Sequence, residues 1–231
     1  MIQKIEDLKK NNHIIYSKIY DTFYYQNFPC IYAKLSFSKN MMYTGIYTDL
    51  SLKTISSLAD DLRIMSKYLD NQKTKDEQLL NTFIAVFDID DSQQSFYEIW
   101  MKIIKTLHSY DKKKWKIGAT SNLNNPEFKF SFDEKLWYPV LITPNHPNKI
   151  RCSKITILSF QPDQTFNFNK KINNINYQNI RKKTHSKIDK IYNYSLPHYL
   201  SEKSSGKGIV QFLGYDFESE KDFVYPVIFN R

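Results

Sequence analysis

The sequence predicts an α+β fold: one domain over residues 1–231, in which a mixed or mainly antiparallel sheet of about six or seven strands packs against helices. Three observations predict it. Apolar residues recur with helical period from Ser51 to Leu69 and again from Ser92 to Tyr110. Short β-branched and aromatic runs, LLNTFIAVF, EFKFSF, LWYPVLI and KITILSF, fall between and after them. No Pro-, Gly- or Ser-rich stretch divides the chain into two units.

Taken in order, Met1 to Gln26 carries Ile2, Ile5 and Leu8, then Ile14, Ile15, Ile19 and Phe23, with a polar break at Asn11-Asn12; two short helices are expected. Pro29 stops the second, and Ile31 to Phe37 alternates enough to predict a strand, with Cys30 at the joint. Met41 to Leu50, containing Gly45, reads as a turn region, and Ser51 as the N-cap of a helix with Leu52, Ile55, Leu58, Leu62, Met65 and Leu69 on one face. Asn71 to Gln78 reads as loop. Leu79 to Phe87 reads as a buried strand ending in Asp88, Asp90 and Asp91, before a helix whose stripe is Phe96, Ile99, Trp100, Ile103, Ile104 and Leu107. Lys112 to Asn125 is basic and loop-like; Glu127 to Phe132 and Leu136 to Ile142 make a hairpin through Asp133-Glu134-Lys135. Lys154 to Phe160 is a further strand, and Asn173 to Lys190 a charged helix with a solvent-facing polar side carrying Arg181 and His185. Pro197-His198-Tyr199 ends it. Ser204 to Gly208 is a flexible turn before β-like runs at Ile209 to Leu213 and Phe223 to Phe229.

Composition narrows the function classes. With 17 Tyr and 16 Phe, aromatics supply enough surface for a core or for the walls around a flat ligand. The net charge of +9 permits polyanion binding, yet it arises from Lys scattered through a Lys/Asn/Ile/Tyr-rich chain, so no nucleic-acid partner is expected. There is neither a signal-like opening nor an apolar run of about 18 residues, so a soluble cytoplasmic protein with no membrane partner is expected. Two cysteines, Cys30 and Cys152, make a poor disulfide framework and are expected as free thiols, each open to metal or thiolate chemistry.

The chain is organised around Pro139 to Pro162, where two strands flank a Pro-Asn-His-Pro-Asn-Lys hinge carrying His146, Arg151 and Cys152. The signatures of nucleotide-binding glycine loops, H-E-x-x-H and C-x-x-C zinc or dithiol sites, c-type haem attachment and the nucleophile elbow are all missing.

A set of dispersed landmarks remains. They are Phe28-Pro29-Cys30-x-x-Ala33-Lys34, LLNTFIAVF with its acidic turn, and Phe96-x-x-x-Trp100 leading to Leu107-His108-x-x-Asp111. Then follow His146-Pro147-x-x-x-Arg151, Phe160-Gln161-Pro162-x-x-x-Phe166, Ile180-Arg181 and Gln211-Phe212. In this order and spacing the chain resembles the YqcI/YcgG family over about residues 20 to 215. The resemblance implies a b-type haem enzyme, a monooxygenase that N-hydroxylates a guanidine group of arginine or a related small molecule, fed by an electron-donor protein or reductant. A haem- or small-molecule-binding protein without turnover is the alternative. The chain departs from the family pattern at Asn148, Lys149, Lys154 and Tyr32.

On that resemblance, the iron takes Cys30 or His146 as axial ligand, and His146 can instead act as a distal catalytic group. The haem propionates call for cations, expected from Arg151, Lys154, Arg181 and Lys34. A guanidinium substrate calls for carboxylates, expected from Asp88 and Asp90, with Asp111 behind them.

Overall fold

The computed structural model describes residues 2–11, 13–25, 28–89, 94–123, 125–172, 174–193 and 208–214. Among the described residues six strands, β1 (Gln3–Lys4), β2 (Met42–Tyr47), β3 (Thr82–Phe87), β4 (Phe130–Phe132), β5 (Lys135–Ile142) and β6 (Thr156–Pro162), form one mixed sheet in the order β1-β2-β3-β6-β5-β4. Only β2 and β3 pair in parallel; every other neighbour is antiparallel. The expected strand number and mixed pairing are therefore found.

A parallel pair needs a long crossover, which α4 (Leu52–Asp70) and α5 (Lys75–Leu80) supply. The Ser51 hydroxyl caps α4 by accepting the Thr54 N–H at 3.2 Å, and Ile55, Leu58, Leu62 and Met65 are buried along its inner stripe. The following helix, α6 (Phe96–Tyr110), starts in a capping box made by Ser95 and Glu98. Both helices cover one face of the sheet, against Phe83, Ala85, Phe87, Leu158 and Phe160. On the other face, Ile84, Val86, Ile142 and Ile157 pack with α1 (Ile5–Lys10), α2 (Ile14–Tyr20) and α3 (Ile31–Ser38). With both faces covered, β3 is buried along its whole length.

Four expectations need correction, and one further helix goes beyond them. Ile31–Ser38 is helix α3, not a strand: seven residues fit either period, both strand positions beside β3 are taken by β2 and β6, and Cys30 serves as N-cap. Met42–Tyr47 is a central strand, not a turn. Its Gly45 is required by packing, because a Cβ there would lie 2.3 Å from the Tyr47 Oη. Thr74 and Glu77 form a capping box, so part of the expected loop is α5, and β3 starts at Thr82. Asp163–Ile172 forms a helix, α7, that the periodicity left unassigned. Gly208–Leu213 is a helix, α9, where a strand was expected over Ile209 to Leu213; five residues between two glycines carry too little pattern to tell the two apart.

The hairpin between β4 and β5 is as expected, with Asp133 and Glu134 both at positive φ, the pattern of a two-residue turn whose twist matches the strands. The expected helix over Asn173 to Lys190 is α8 (Asn174–Ile191). Pro197 to Tyr199, Ser204 to Lys207 and Phe223 to Phe229 lie outside the described residues. Among the described residues, no helix is long and apolar enough to cross a membrane.

Candidate functional site

The hinge after β5 folds back on itself. The Thr143 N–H donates to the Arg151 carbonyl at 3.0 Å, the Ser153 N–H donates to the Thr143 carbonyl at 3.2 Å, and a short 3₁₀ turn, Lys149–Arg151, closes the loop. Asn148 caps that turn by accepting the Ile150 N–H at 3.1 Å, and its amide donates to the Gly214 carbonyl at 2.6 Å. Gly214 follows α9 with a φ of +63° and lies so close under Arg151 that a Cβ there would sit 2.7 Å from the guanidinium Nε. A glycine is needed here twice over, for the turn and for the approach.

His146 is buried in this hinge, 3% exposed. Its Nδ1 accepts the Asn148 N–H at 3.0 Å and its Nε2 meets the Leu213 carbonyl at 2.7 Å. That pair of partners fixes the Nε2–H tautomer, since a carbonyl only accepts. Burial pushes its pKa down to about 4, so the ring stays neutral. His146 thus ties the hinge to α9 through Leu213, and its ring lies 4.6 Å from that of Phe96 on α6, tilted by 39°. Both ring nitrogens are engaged, which leaves no lone pair for iron, and His146 does not line the cavity described next.

That cavity, about 570 Å³, opens on the sheet face that carries α3 and is bounded by α3, α7, α8 and α9. Its size falls in the range of small-molecule and cofactor pockets. Tyr138, Val140 and Ile142 of β5 and Ser159 and Gln161 of β6 form the floor, because alternate residues of paired strands share a face. Phe23, Phe28, Phe128, Phe166, Phe212 and Val210 supply apolar walls. Cys30 enters from the N-terminus of α3, Arg151 from the hinge, and Tyr177, Arg181 and His185 from one side of α8, each four residues from the next.

Cys30 is half-buried and free. Burial pushes its thiol pKa up; the Ala33 and Tyr32 amides, Arg151 and Lys187 pull the other way without overcoming it. Burial also pushes the Arg151 guanidinium down to about 10, with the Cys30 sulfur and Tyr192 opposing. Asp163 at the far end accepts from Tyr138 Oη at 3.2 Å, from Lys129 Nζ at 2.9 Å and, through its other oxygen, from Asn167 Nδ2 at 2.7 Å.

The structure thus gathers Cys30, Arg151 and Arg181 around one cavity and leaves other expected residues outside it. Lys34 lines a neighbouring cavity of about 260 Å³ with Lys187 and Lys190, separated by Phe28, which borders both. Lys154 is exposed and borders neither. Asp88 is exposed and pairs with Lys18 at 3.4 Å; it does not border the cavity. Asp111 is buried beneath the β4–β5 hairpin, accepting the Lys113 and Asp133 N–H groups, with its pKa raised by that burial. Asp90 lies outside the described residues. Gln161, Asp163, Tyr177 and His185 also border the cavity, beyond the site residues expected from the sequence. The signals are the Gln161-Pro162 landmark and the four-residue spacing on α8, where Tyr177, Arg181 and His185 border the cavity while Lys182, Lys183 and Lys190 are exposed, as expected of its polar face.

A model of the YqcI/YcgG family matches residues 19–222, which take in every residue of this cavity. The chain belongs to the YqcI/YcgG family. No curated protein and no solved structure matches it. In this YqcI/YcgG chain the landmark positions Cys30, Arg151, Gln161, Phe166, Arg181 and Phe212, spread over the sequence, meet at one place.

Proposed function

We propose that the chain binds haem b in the 570 Å³ cavity and uses it to N-hydroxylate a guanidine group of arginine or a related small molecule. One observation carries the reading: a cysteine and two arginines share a cavity walled by phenylalanines. The donor set suits an iron porphyrin, with Cys30 as the sulfur ligand and Arg151 and Arg181 as partners for the propionates. Bound there, haem supplies oxygen activation, which a thiolate favours by donating electron density. One oxygen atom enters the guanidine N–H bond and the other leaves as water, so the reaction draws two electrons and two protons from an external reductant or electron-donor protein.

The chain's own residues hold and orient. Arg151, braced against Gly214, is a fixed cation beside Cys30 that favours its deprotonated form. The aromatic walls give a flat ligand an apolar surface to lie against.

A second reading, haem or small-molecule binding without turnover, is favoured by a specific fact. The carboxylate nearest the cavity floor, Asp163, already satisfies Lys129, Tyr138 and Asn167, while Glu127 is exposed at the rim. The two readings separate on product. Purified protein supplied with haem is expected to give a Soret band in the ferric and ferrous-CO forms whose position changes in Cys30→Ala, and to yield N-hydroxyarginine with arginine, a reductant and O₂. A spectrum without a Soret band ends the haem reading; a band with no product leaves the second reading.

A further inference from the structure

Gln161 is 9% exposed and lines the cavity floor from β6. Its Oε1 accepts the Thr82 hydroxyl at 2.8 Å, the acceptor that hydroxyl hydrogen requires; turned over, the amide would leave that hydrogen without one. With this orientation fixed, Gln161 Nε2 is buried with no hydrogen-bond partner among the described residues. Buried amide hydrogens are rarely left unpaired, and each that is calls for an explanation.

No acceptor among the described residues takes the Gln161 amide. Tyr138 lies directly across from Gln161 in the sheet, and its hydroxyl donates to Asp163, whose two oxygens also take Lys129 and Asn167. A ligand seated in the cavity can supply that acceptor, because the amide lies in the cavity floor. Its position follows from the strands: Arg151 is anchored beside Thr143, at the end where Ile142 pairs with Ile157, and Gln161 lies four residues farther along β6, about 13 Å at the rise of a strand.

We infer that Gln161 Nε2 donates to a carboxylate oxygen of the bound ligand, at the end of the cavity opposite Arg151. This rests on reading the cavity as the ligand site. With the substrate's carboxylate held there, Gln161 selects amino acids over the corresponding amines. A haem propionate carries the same acceptor chemistry, and the test tells the two sources apart.

The experiment titrates wild-type protein, Gln161→Leu and the double variant Gln161→Leu/Thr82→Val with haem, followed by absorbance, and with L-arginine and agmatine, followed by calorimetry on haem-loaded and haem-free protein. The double variant removes the Thr82 hydroxyl together with its acceptor, so a folding defect of the single variant does not obscure the answer. L-arginine is expected to bind the wild type more tightly than agmatine, and loss of the Gln161 amide is expected to weaken L-arginine about tenfold while leaving agmatine and haem unchanged. A tenfold loss of haem affinity, with L-arginine unchanged, supports the same donor serving a propionate. Protein that takes up no haem but still prefers L-arginine through Gln161 defeats the haem reading and keeps this inference. Wild-type protein that binds neither haem nor L-arginine, or variants that bind both as the wild type does, overturn it.

Discussion

His146 and Leu213, 67 positions apart in the chain, are joined by a hydrogen bond in which the imidazole Nε2 donates to the backbone carbonyl at 2.7 Å. The same ring accepts the Asn148 N–H on its other side. The histidine that the sequence marks as reactive is therefore a fastener between the hinge and α9, and α9 in turn supplies Val210 and Phe212 to the cavity.

His146→Ala removes both bonds and leaves the Asn148 N–H and the Leu213 carbonyl buried without their partner. Each such loss costs about 1–3 kcal/mol, so a total near 3 kcal/mol is expected, read from the urea midpoint. The Soret band of the haem-loaded variant is expected at the wild-type position. A shifted band would return His146 to the iron.

Stability is expected to depend on this ring in a defined pH window. The folded pKa of about 4 lies below the ordinary 6.5, so above 6.5 the ring is neutral in both states and its contribution is complete. As pH falls from 6.5 toward 4 the unfolded chain takes up a proton that the folded chain refuses, at about 1.4 kcal/mol lost per pH unit. Denaturation midpoints of wild type and His146→Ala, compared between pH 7 and pH 4, are expected to converge; parallel curves would contradict the assignment.

On the proposed reading Cys30 would hold the iron as a thiolate, and burial raises its thiol pKa above the ordinary thiol value in the ligand-free protein. Haem binding must then expel the proton, so haem affinity is expected to rise about tenfold per pH unit up to that pKa. Haem titrations at several pH values measure this, with Cys30→Ser as the control that flattens the slope.

Gly214→Ala puts a Cβ into the Arg151 side chain at a residue whose positive φ already disfavours alanine by about 1–2 kcal/mol. Arg151 must move. The variant is expected to lose about 2 kcal/mol of stability and part of its haem affinity, whereas Gly118→Ala, also at positive φ but with open space around it, is expected to change stability alone.

Gly45→Ala pushes a methyl against the buried Tyr47 ring, whose hydroxyl donates to Asp61 at 2.8 Å. Overpacking of this kind costs about 1–3 kcal/mol. In a Tyr47→Leu background the same substitution is expected to cost much less, and the double-mutant cycle measures the difference.

The sequence by itself determined what is encoded locally and repeatedly. Ser51 and the stripe from Ile55 to Leu69 specify α4 whatever surrounds them, and β5 and β6 are long enough for their composition to decide. It also carried Cys30, Arg151 and Arg181 as landmarks, because a family's ordered positions survive in the chain. Only the tertiary structure decided the short segments: 31–38 and 208–213 fit helix and strand alike, and the neighbours available to bury them made the choice. It also decided which polar residues face the cavity. Whether the His146 nitrogens are free, or whether the Gln161 amide has a partner, depends on groups distant in sequence that fold alone brings within hydrogen-bond reach.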